Sequence, residues 1–152
     1  MREFNCTNTG NKCIINCASM EDVQRLKQAI FNQLKQSPIG IKLIGGDTSI
    51  FEKELDFTGV IDFVKNTLIG IDTSEEFLDA IYRCLSYCTY KKVFKIDKAL
   101  FDNESVPEAR EDYYEILFAC VEENLRPFIK SLISTWKTYI KGGNFVQLLN
   151  IM

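Results

Sequence analysis

The sequence contains no histidine among its 152 residues and only three prolines. Without imidazole, the side chain that ordinarily titrates near neutral pH, serine–histidine–aspartate and cysteine–histidine nucleophiles are excluded. No low-complexity tract occurs, so we expect disorder only at the ends. No segment approaches the ~20 apolar residues that a membrane span needs. No signal peptide is visible either. These absences predict a cytoplasmic protein that does not associate with membranes.

Phosphate-binding loops are also missing. The glycine pairs at 45–46 and 142–143 lack the spacings of the P-loop and of the dinucleotide fingerprint. Three adjacent acid pairs, Glu75-Glu76, Glu111-Asp112 and Glu122-Glu123, fall on predicted helices. Adjacent helical residues point about 100° apart, so we interpret these pairs as solvated surface. We therefore predict a protein that is not an enzyme and has no catalytic residue and no cofactor.

The length of 152 residues predicts one domain, 1–152. The formal net charge of −3 gives no general attraction to nucleic acid. The charge is nevertheless uneven: residues 102–126 hold eight acids and two bases, and residues 126–152 hold four bases and no acid. This asymmetry either orients a partner or reflects two differently solvated faces.

The N-terminal half predicts a small β-α-β element. Residues 1–11 are polar and read as a loose leader. Residues 12–17 predict a strand because their centre is β-branched. Ser19 then caps a helix that runs to about Gln36. Apolar residues at alternate positions over residues 39–44 predict a second strand.

The remainder predicts a helical bundle, so the fold class is α+β and mostly helical. A helix over 57–68 ends at Gly70. The other signals are two capping boxes, a strand or irregular hairpin, a proline that breaks or kinks the chain, a fifth helix and a tail that follows two glycines. They lie, in that order, at Thr73-x-x-Glu76 and Ser105-x-x-Glu108, 89–101, Pro127, 128–141 and 144–152.

Cysteine spacing offers one metal hypothesis. Cys13-x3-Cys17 and Cys84-x3-Cys88 have the ligand type of a four-thiolate zinc site. On a strand, however, Cys13 and Cys17 lie roughly 13 Å apart, too far to chelate one ion. We therefore interpret the cysteines as buried thiols of a reducing compartment and predict no metal.

A short basic and aromatic stretch is the nearest approach to a nucleic-acid surface. Residues 87–95 hold three lysines among tyrosines and phenylalanine. Such a stripe also suits a solvated loop or a lysine-protected edge strand. We favour this second interpretation, and we predict no nucleic-acid partner.

Protein binding suits the C-terminal segment better. Aromatic anchors beside basic residues are typical of interface cores, and an apolar segment after a hinge can dock into a groove of a partner. The alternative is that the tail folds back on its own domain. The predicted protein-binding residues are Phe128, Lys137, Tyr139, Phe145, Leu148 and Leu149.

Several strings resemble the tail assembly chaperones of long-tailed bacteriophages and prophages. Residues 13–18 (CIINCA) resemble the opening strand of that family, and residues 83–90 (RCLSYCTY) its cysteine-containing helix end. Residues 108–116 (EAREDYYEI) and 124–128 (NLRPF) resemble its C-terminal helix pair. The resemblance spans about residues 12–140 in order.

The resemblance implies a role in virion morphogenesis inside the host cytoplasm. Proteins of this family coat the tape measure protein, recruit the major tail protein and are absent from the finished particle. They are expected to self-associate, so we predict a homo-oligomer. Two alternatives stay open: a structural virion component such as a tail terminator or connector, and a small zinc- or nucleic-acid-binding regulator.

Overall fold

The computed structural model describes residues 1–36, 57–70 and 74–141. These residues form four strands and four α-helices, together with two short 3₁₀ helices at Lys98–Asp102 and Pro107–Arg110. The architecture is α+β, as the sequence predicts. The elements in chain order are β1 (Arg2–Asn5), β2 (Lys12–Ile15), α1 (Met20–Gln36), α2 (Phe57–Ile69), α3 (Glu75–Leu85), β3 (Thr89–Tyr90), β4 (Phe94–Lys95) and α4 (Tyr113–Lys141).

The four strands form one antiparallel sheet in the order β1-β2-β3-β4. The prediction of a loose leader over residues 1–11 is wrong, because β1 pairs along its whole length with β2, from Arg2 opposite Ile15 to Asn5 opposite Lys12. The local composition of the leader is polar, and its order comes from partners elsewhere in the chain. The predicted strand over 12–17 is confirmed over Lys12–Ile15.

Helix α1 begins where the sequence predicts. The Ser19 hydroxyl accepts a hydrogen bond from the backbone N–H of Asp22 at 3.3 Å, which satisfies one of the free donors of the first turn. The helix is described to Gln36, where the first described range of the chain ends, so the predicted end stays a prediction. The second strand of the predicted β-α-β element, 39–44, lies outside the described residues. Within those residues, β2 has antiparallel neighbours on both edges.

Helices α2 and α3 follow the apolar periodicity. The N–H of Gly70 donates to the carbonyl of Asn66 at 3.1 Å and closes the last turn of α2. The N-cap of α3 is Ser74, whose hydroxyl accepts from the N–H of Phe77 at 3.2 Å. The predicted capping box at Thr73 was therefore one residue early.

The segment after α3 is a tight hairpin. Tyr90 lies opposite Phe94, and the turn between them places Lys91 and Lys92 at φ values of 53° and 66°. This left-handed conformation is unusual for residues other than glycine. The weak prediction of a strand or hairpin over 89–101 is thus confirmed in its first half, whereas the second half is a 3₁₀ helix whose N-cap is Asp97.

The C-terminal helices differ from the prediction in two respects. Pro107 opens a 3₁₀ helix without a side-chain cap, so the capping box at Ser105 is wrong, and α4 begins only at Tyr113. In addition, Pro127 lies inside α4, which continues to Lys141 as one helix of 29 residues. Inside a helix, proline removes one backbone hydrogen bond and costs ~3 kcal/mol. The helix propensity of the residues on both sides of Pro127 favours a continuous helix despite this cost.

The core lies between the sheet and the helices. Its largest fully buried side chains come from every described layer, including Tyr90 of β3, Leu26 of α1, Phe77 of α3 and Leu117 of α4. The buried face of α3 includes Phe77, Ile81 and Leu85, and at the start of α4 Tyr113 is half-buried whereas Tyr114 is exposed. Among the described helices, none is both long and apolar enough to cross a membrane.

Candidate functional site

The residues predicted to bind a protein partner divide into two groups. Phe128, Lys137 and Tyr139 all lie on α4, and the Phe128 side chain is half-buried. On a regular helix, positions 128 and 139 fall on nearly the same side and position 137 on the opposite side. Phe145, Leu148 and Leu149 lie outside the described residues. The binding role of all six residues stays a prediction.

A convergence of polar side chains lies elsewhere, where the β1–β2 loop meets the start of α4. The loop closes on itself through two backbone hydrogen bonds of 2.8 Å, from the N–H of Cys6 to the carbonyl of Asn11 and from the N–H of Gly10 to the carbonyl of Cys6. Gly10 has a φ of +74°, which glycine adopts without strain. The side-chain amide of Asn8 donates to the carbonyl of Glu111 at 3.0 Å. The loop is thereby fastened to the residues that precede α4.

Asp112 is the centre of this convergence. Its side chain is fully buried, and its Oδ2 accepts hydrogen bonds of 2.5 Å from the hydroxyls of Thr9 and Tyr90. Its Oδ1 is also buried and has no hydrogen-bonding partner in the described part of the chain. The interpretation of Glu111-Asp112 as a solvated pair is therefore wrong for Asp112, since this residue precedes α4 instead of lying on its exposed face.

Glu115 supplies a second carboxylate in the first turn of α4. Its two oxygens accept hydrogen bonds from Thr7, one from the backbone N–H at 2.9 Å and one from the hydroxyl at 3.0 Å. Negative charge is favourable at this end of a helix because the backbone N–H groups there point outward. The loop and the helix dipole together hold the carboxylate in place.

Cys6 completes the group, with its side chain buried. Burial, assisted by the nearby charges of Asp112 and Glu115, raises the pKa of the Cys6 thiol to about 12. An interaction of the thiol with the Asp112 carboxylate raises this pKa as well, although no described group meets hydrogen-bond geometry at Oδ1. One potential ligand atom from each of Cys6, Asp112 and Glu115 lies within 4.8 Å of the other two. We refer to these three residues as the loop–helix cluster.

Burial also affects the tyrosine that lines the cluster. It raises the pKa of Tyr90 to about 12, and the hydrogen bond to Asp112 acts in the same direction. The phenol therefore stays protonated and acts as a donor. The Tyr90 hydroxyl also accepts from the side-chain amide of Asn11 at 2.8 Å. The Cys6 thiol and the neighbouring Tyr90 phenol are both protonated at neutral pH. The site therefore provides hydrogen-bond donors and potential metal ligands instead of an activated nucleophile.

The cysteines of the zinc hypothesis are arranged differently. Cys17 is exposed, whereas Cys13, Cys84 and Cys88 are buried, so the interpretation as buried thiols is confirmed for three of the four. The Cys84 thiol donates to the carbonyl of Asp22 at 3.7 Å. Hydrogen bonding between the thiols of Cys88 and Cys120 lowers the pKa of Cys88 and raises that of Cys120.

The basic and aromatic stripe over residues 87–95 does not form one surface. Tyr90 points into the core, and Lys91 forms an ion pair with Glu108 at 2.9 Å. Lys92 and Lys95 are exposed. An edge of the sheet that carries lysines agrees better with the protected-strand interpretation than with a stacking platform for bases.

The sequence did contain a signal for the loop–helix cluster. Asp112 and Glu115 have the spacing of a capping box, and this box competes with the one at Ser105. In the structure both carboxylates accept hydrogen bonds from residues of the β1–β2 loop. The contribution of Cys6 had no local signal, because the loop and the helix are more than a hundred residues apart in sequence.

No family model, curated protein or solved structure matches the chain.

Proposed function

We propose that this chain is a non-enzymatic tail assembly chaperone of a long-tailed bacteriophage or prophage. It acts in the host cytoplasm, binds the tape measure protein and recruits tail-tube subunits around it. Two observations support the proposal. Strings that resemble this family occur in order over about residues 12–140, and the described residues form a mixed α+β domain with one very long C-terminal helix.

Helix α4 is the feature that supports binding most directly. At 1.5 Å per residue its 29 residues extend about 43 Å, beyond the ~30 Å diameter of a small domain. Its first part is anchored by buried side chains from Ile116 to Leu125. From Arg126 onward the chain carries four basic residues and no acidic one.

The basic charge of α4 from Arg126 onward indicates which kind of partner this helix can bind. A basic, aromatic-bearing helix suits an acidic amphipathic helix, which can pair with it along its length. The acidic residues lie before Arg126 in the anchored part, so two copies can also meet head to tail. Such repeated weak contacts are what coating a long helical partner requires.

Co-expression with the neighbouring reading frames of the source genome tests the proposal. We expect the chain to co-purify with a long coiled-coil product and to form oligomers in light scattering. The variant Lys137→Glu, which reverses a charge on the basic part of α4, should weaken capture, whereas Lys95→Glu, an exposed lysine on the sheet edge, should not. A monomer that captures neither tape measure nor tail-tube protein would refute the proposal.

Mass spectrometry of purified particles separates the chaperone from a structural component. A chaperone is present during assembly and missing from the finished particle. Detection of stoichiometric amounts of the chain in virions would instead identify it as a terminator or connector subunit.

A further inference from the structure

We propose that Cys6, Asp112 and Glu115 form a binding site for a thiophilic divalent cation of the Zn²⁺ class. This inference rests on the geometry of the loop–helix cluster alone and is independent of the proposed chaperone function. The three residues come from two segments, the β1–β2 loop and the start of α4. An ion held among them would join these segments directly.

The distances are compatible with a site that contracts slightly on binding. The three potential ligand atoms lie within 4.8 Å of one another. In a tetrahedral zinc site with Zn–S near 2.3 Å and Zn–O near 2.0 Å, ligand atoms are about 3.3–3.5 Å apart. Side-chain rotations that move each atom by under about 1 Å would therefore close the site.

The buried oxygen of Asp112 is the observation that points to a ligand. Oδ1 belongs to a fully buried side chain and accepts no hydrogen bond from the described residues. Leaving a buried carboxylate oxygen without a partner is costly. A cation shared with Cys6 and Glu115 would satisfy it and would also offset most of the negative charge of the two carboxylates and the thiolate.

The surroundings resemble the outer shell of a metal site. Ligating carboxylates are usually oriented by further hydrogen bonds. Here Thr9 and Tyr90 hold Oδ2 of Asp112, and Thr7 holds Glu115 through its backbone N–H and its hydroxyl. Each carboxylate still has free lone pairs for an ion, since a carboxylate offers about four acceptor sites.

The donor set selects the class of ion. One sulfur and two carboxylates suit Zn²⁺ or Co²⁺, whereas Ca²⁺ and Mg²⁺ prefer oxygen ligands alone. Three protein ligands leave a fourth tetrahedral position for water. Coordination replaces the S–H bond of Cys6 by an S–metal bond, and the proton leaves to solvent.

The test uses the full chain, stripped with a chelator and kept reduced. We expect Zn²⁺ to bind with a stoichiometry of about one per chain in calorimetry and to raise the melting temperature. Co²⁺ should give a thiolate charge-transfer band in the near ultraviolet and the visible spectrum of a tetrahedral site. Folding of every variant is checked by circular dichroism.

Graded variants separate a built site from adventitious binding. Thr9→Val, which removes an orienting hydroxyl, should weaken Zn²⁺ binding about 10–100-fold, and Cys6→Ser and Glu115→Gln should weaken it more. The matched controls Cys17→Ser and Glu111→Gln change an exposed cysteine and an exposed acid and should bind like the unmodified chain. If the folded chain binds no Zn²⁺, or if Cys6→Ser binds it equally well, the proposal is overturned.

Discussion

The hydrogen bond between Tyr90 and Asp112 allows a sharp test of how burial sets the strength of a polar contact. The variant Tyr90→Phe removes only a hydroxyl and keeps the ring in a site that is 0% exposed. The chain provides a natural comparison, because the Tyr87 hydroxyl donates to Oδ2 of Asp22 at 2.8 Å and Tyr87 is 39% exposed. Both contacts are tyrosine–aspartate pairs. They differ in their access to water and in the additional hydrogen bond that the Tyr90 hydroxyl accepts from Asn11.

The magnitudes follow from that difference. A buried hydrogen bond to a carboxylate contributes about 1.5–3 kcal/mol, and its loss leaves Asp112 with one donor on Oδ2, the hydroxyl of Thr9. We therefore expect Tyr90→Phe to lower the free energy of unfolding by ~2 kcal/mol. Tyr87→Phe should cost ~0.5 kcal/mol or less, since water replaces the lost donor. Thr9→Val combined with Tyr90→Phe should cost more than the sum of the single changes, because the two donors share one acceptor.

Urea denaturation in the presence of a chelator measures these values. The slope of the free energy against urea concentration should be the same for all variants, so that midpoints report stability. Equal losses for Tyr90→Phe and Tyr87→Phe would refute the reasoning. An additive Thr9–Tyr90 double variant would show that the two hydroxyls do not act on one carboxylate.

Three further predictions follow from the same structure. A thiol reagent should modify Cys17 rapidly in the folded protein and the other five cysteines only at the rate of opening, because those five are buried; fast labelling of more than one thiol would contradict the described core. Burial raises the pKa of Cys6, Cys13 and Cys84 from 9.0 to about 12. The unfolded chain therefore binds fewer protons above pH 9, and the free energy of unfolding should fall between about pH 9 and 12 while these thiols leave it unchanged below that range. A urea midpoint that does not change between about pH 9 and 12 would contradict this prediction. Finally, Lys92→Gly should stabilise the β3–β4 hairpin by about 0.5–1 kcal/mol in thermal unfolding, since Lys92 has a φ of 66° and glycine adopts that conformation without strain; a loss of stability would show that the lysine side chain contributes more than the strain costs.

Local signals were sufficient for the helices that begin at a cap and bury one face. Ser19 predicted the start of α1, and the capping box at Thr73 predicted the start of α3 to within one residue, because capping depends only on neighbours in sequence. Gly70 marked the end of α2 for the same reason. The predicted fold class depended on these elements and is confirmed.

Signals that depend on distant partners were missed. Strand β1 reads as a polar leader because only pairing with β2 makes it a strand. Asp112 reads as surface because its donors, Thr9 and Tyr90, come from other elements. Pro127 predicted a break or a kink because proline disfavours the helix interior, yet α4 continues through it to Lys141. In the loop–helix cluster, Asp112 and Glu115 had a local spacing signal, but the contribution of Cys6 was missed because it lies in a distant segment of the sequence.

The docking of the first residues on α4 has a consequence for biosynthesis. Arg2 pairs with Glu122 and Thr7 with Glu115, across separations of 120 and 108 residues. At 5–20 residues per second, a ribosome needs roughly 5–20 s to make the intervening chain. The opening hairpin is therefore synthesised well before its partners on α4, and its contacts with that helix can form only after Glu115 and Glu122 have been added to the chain.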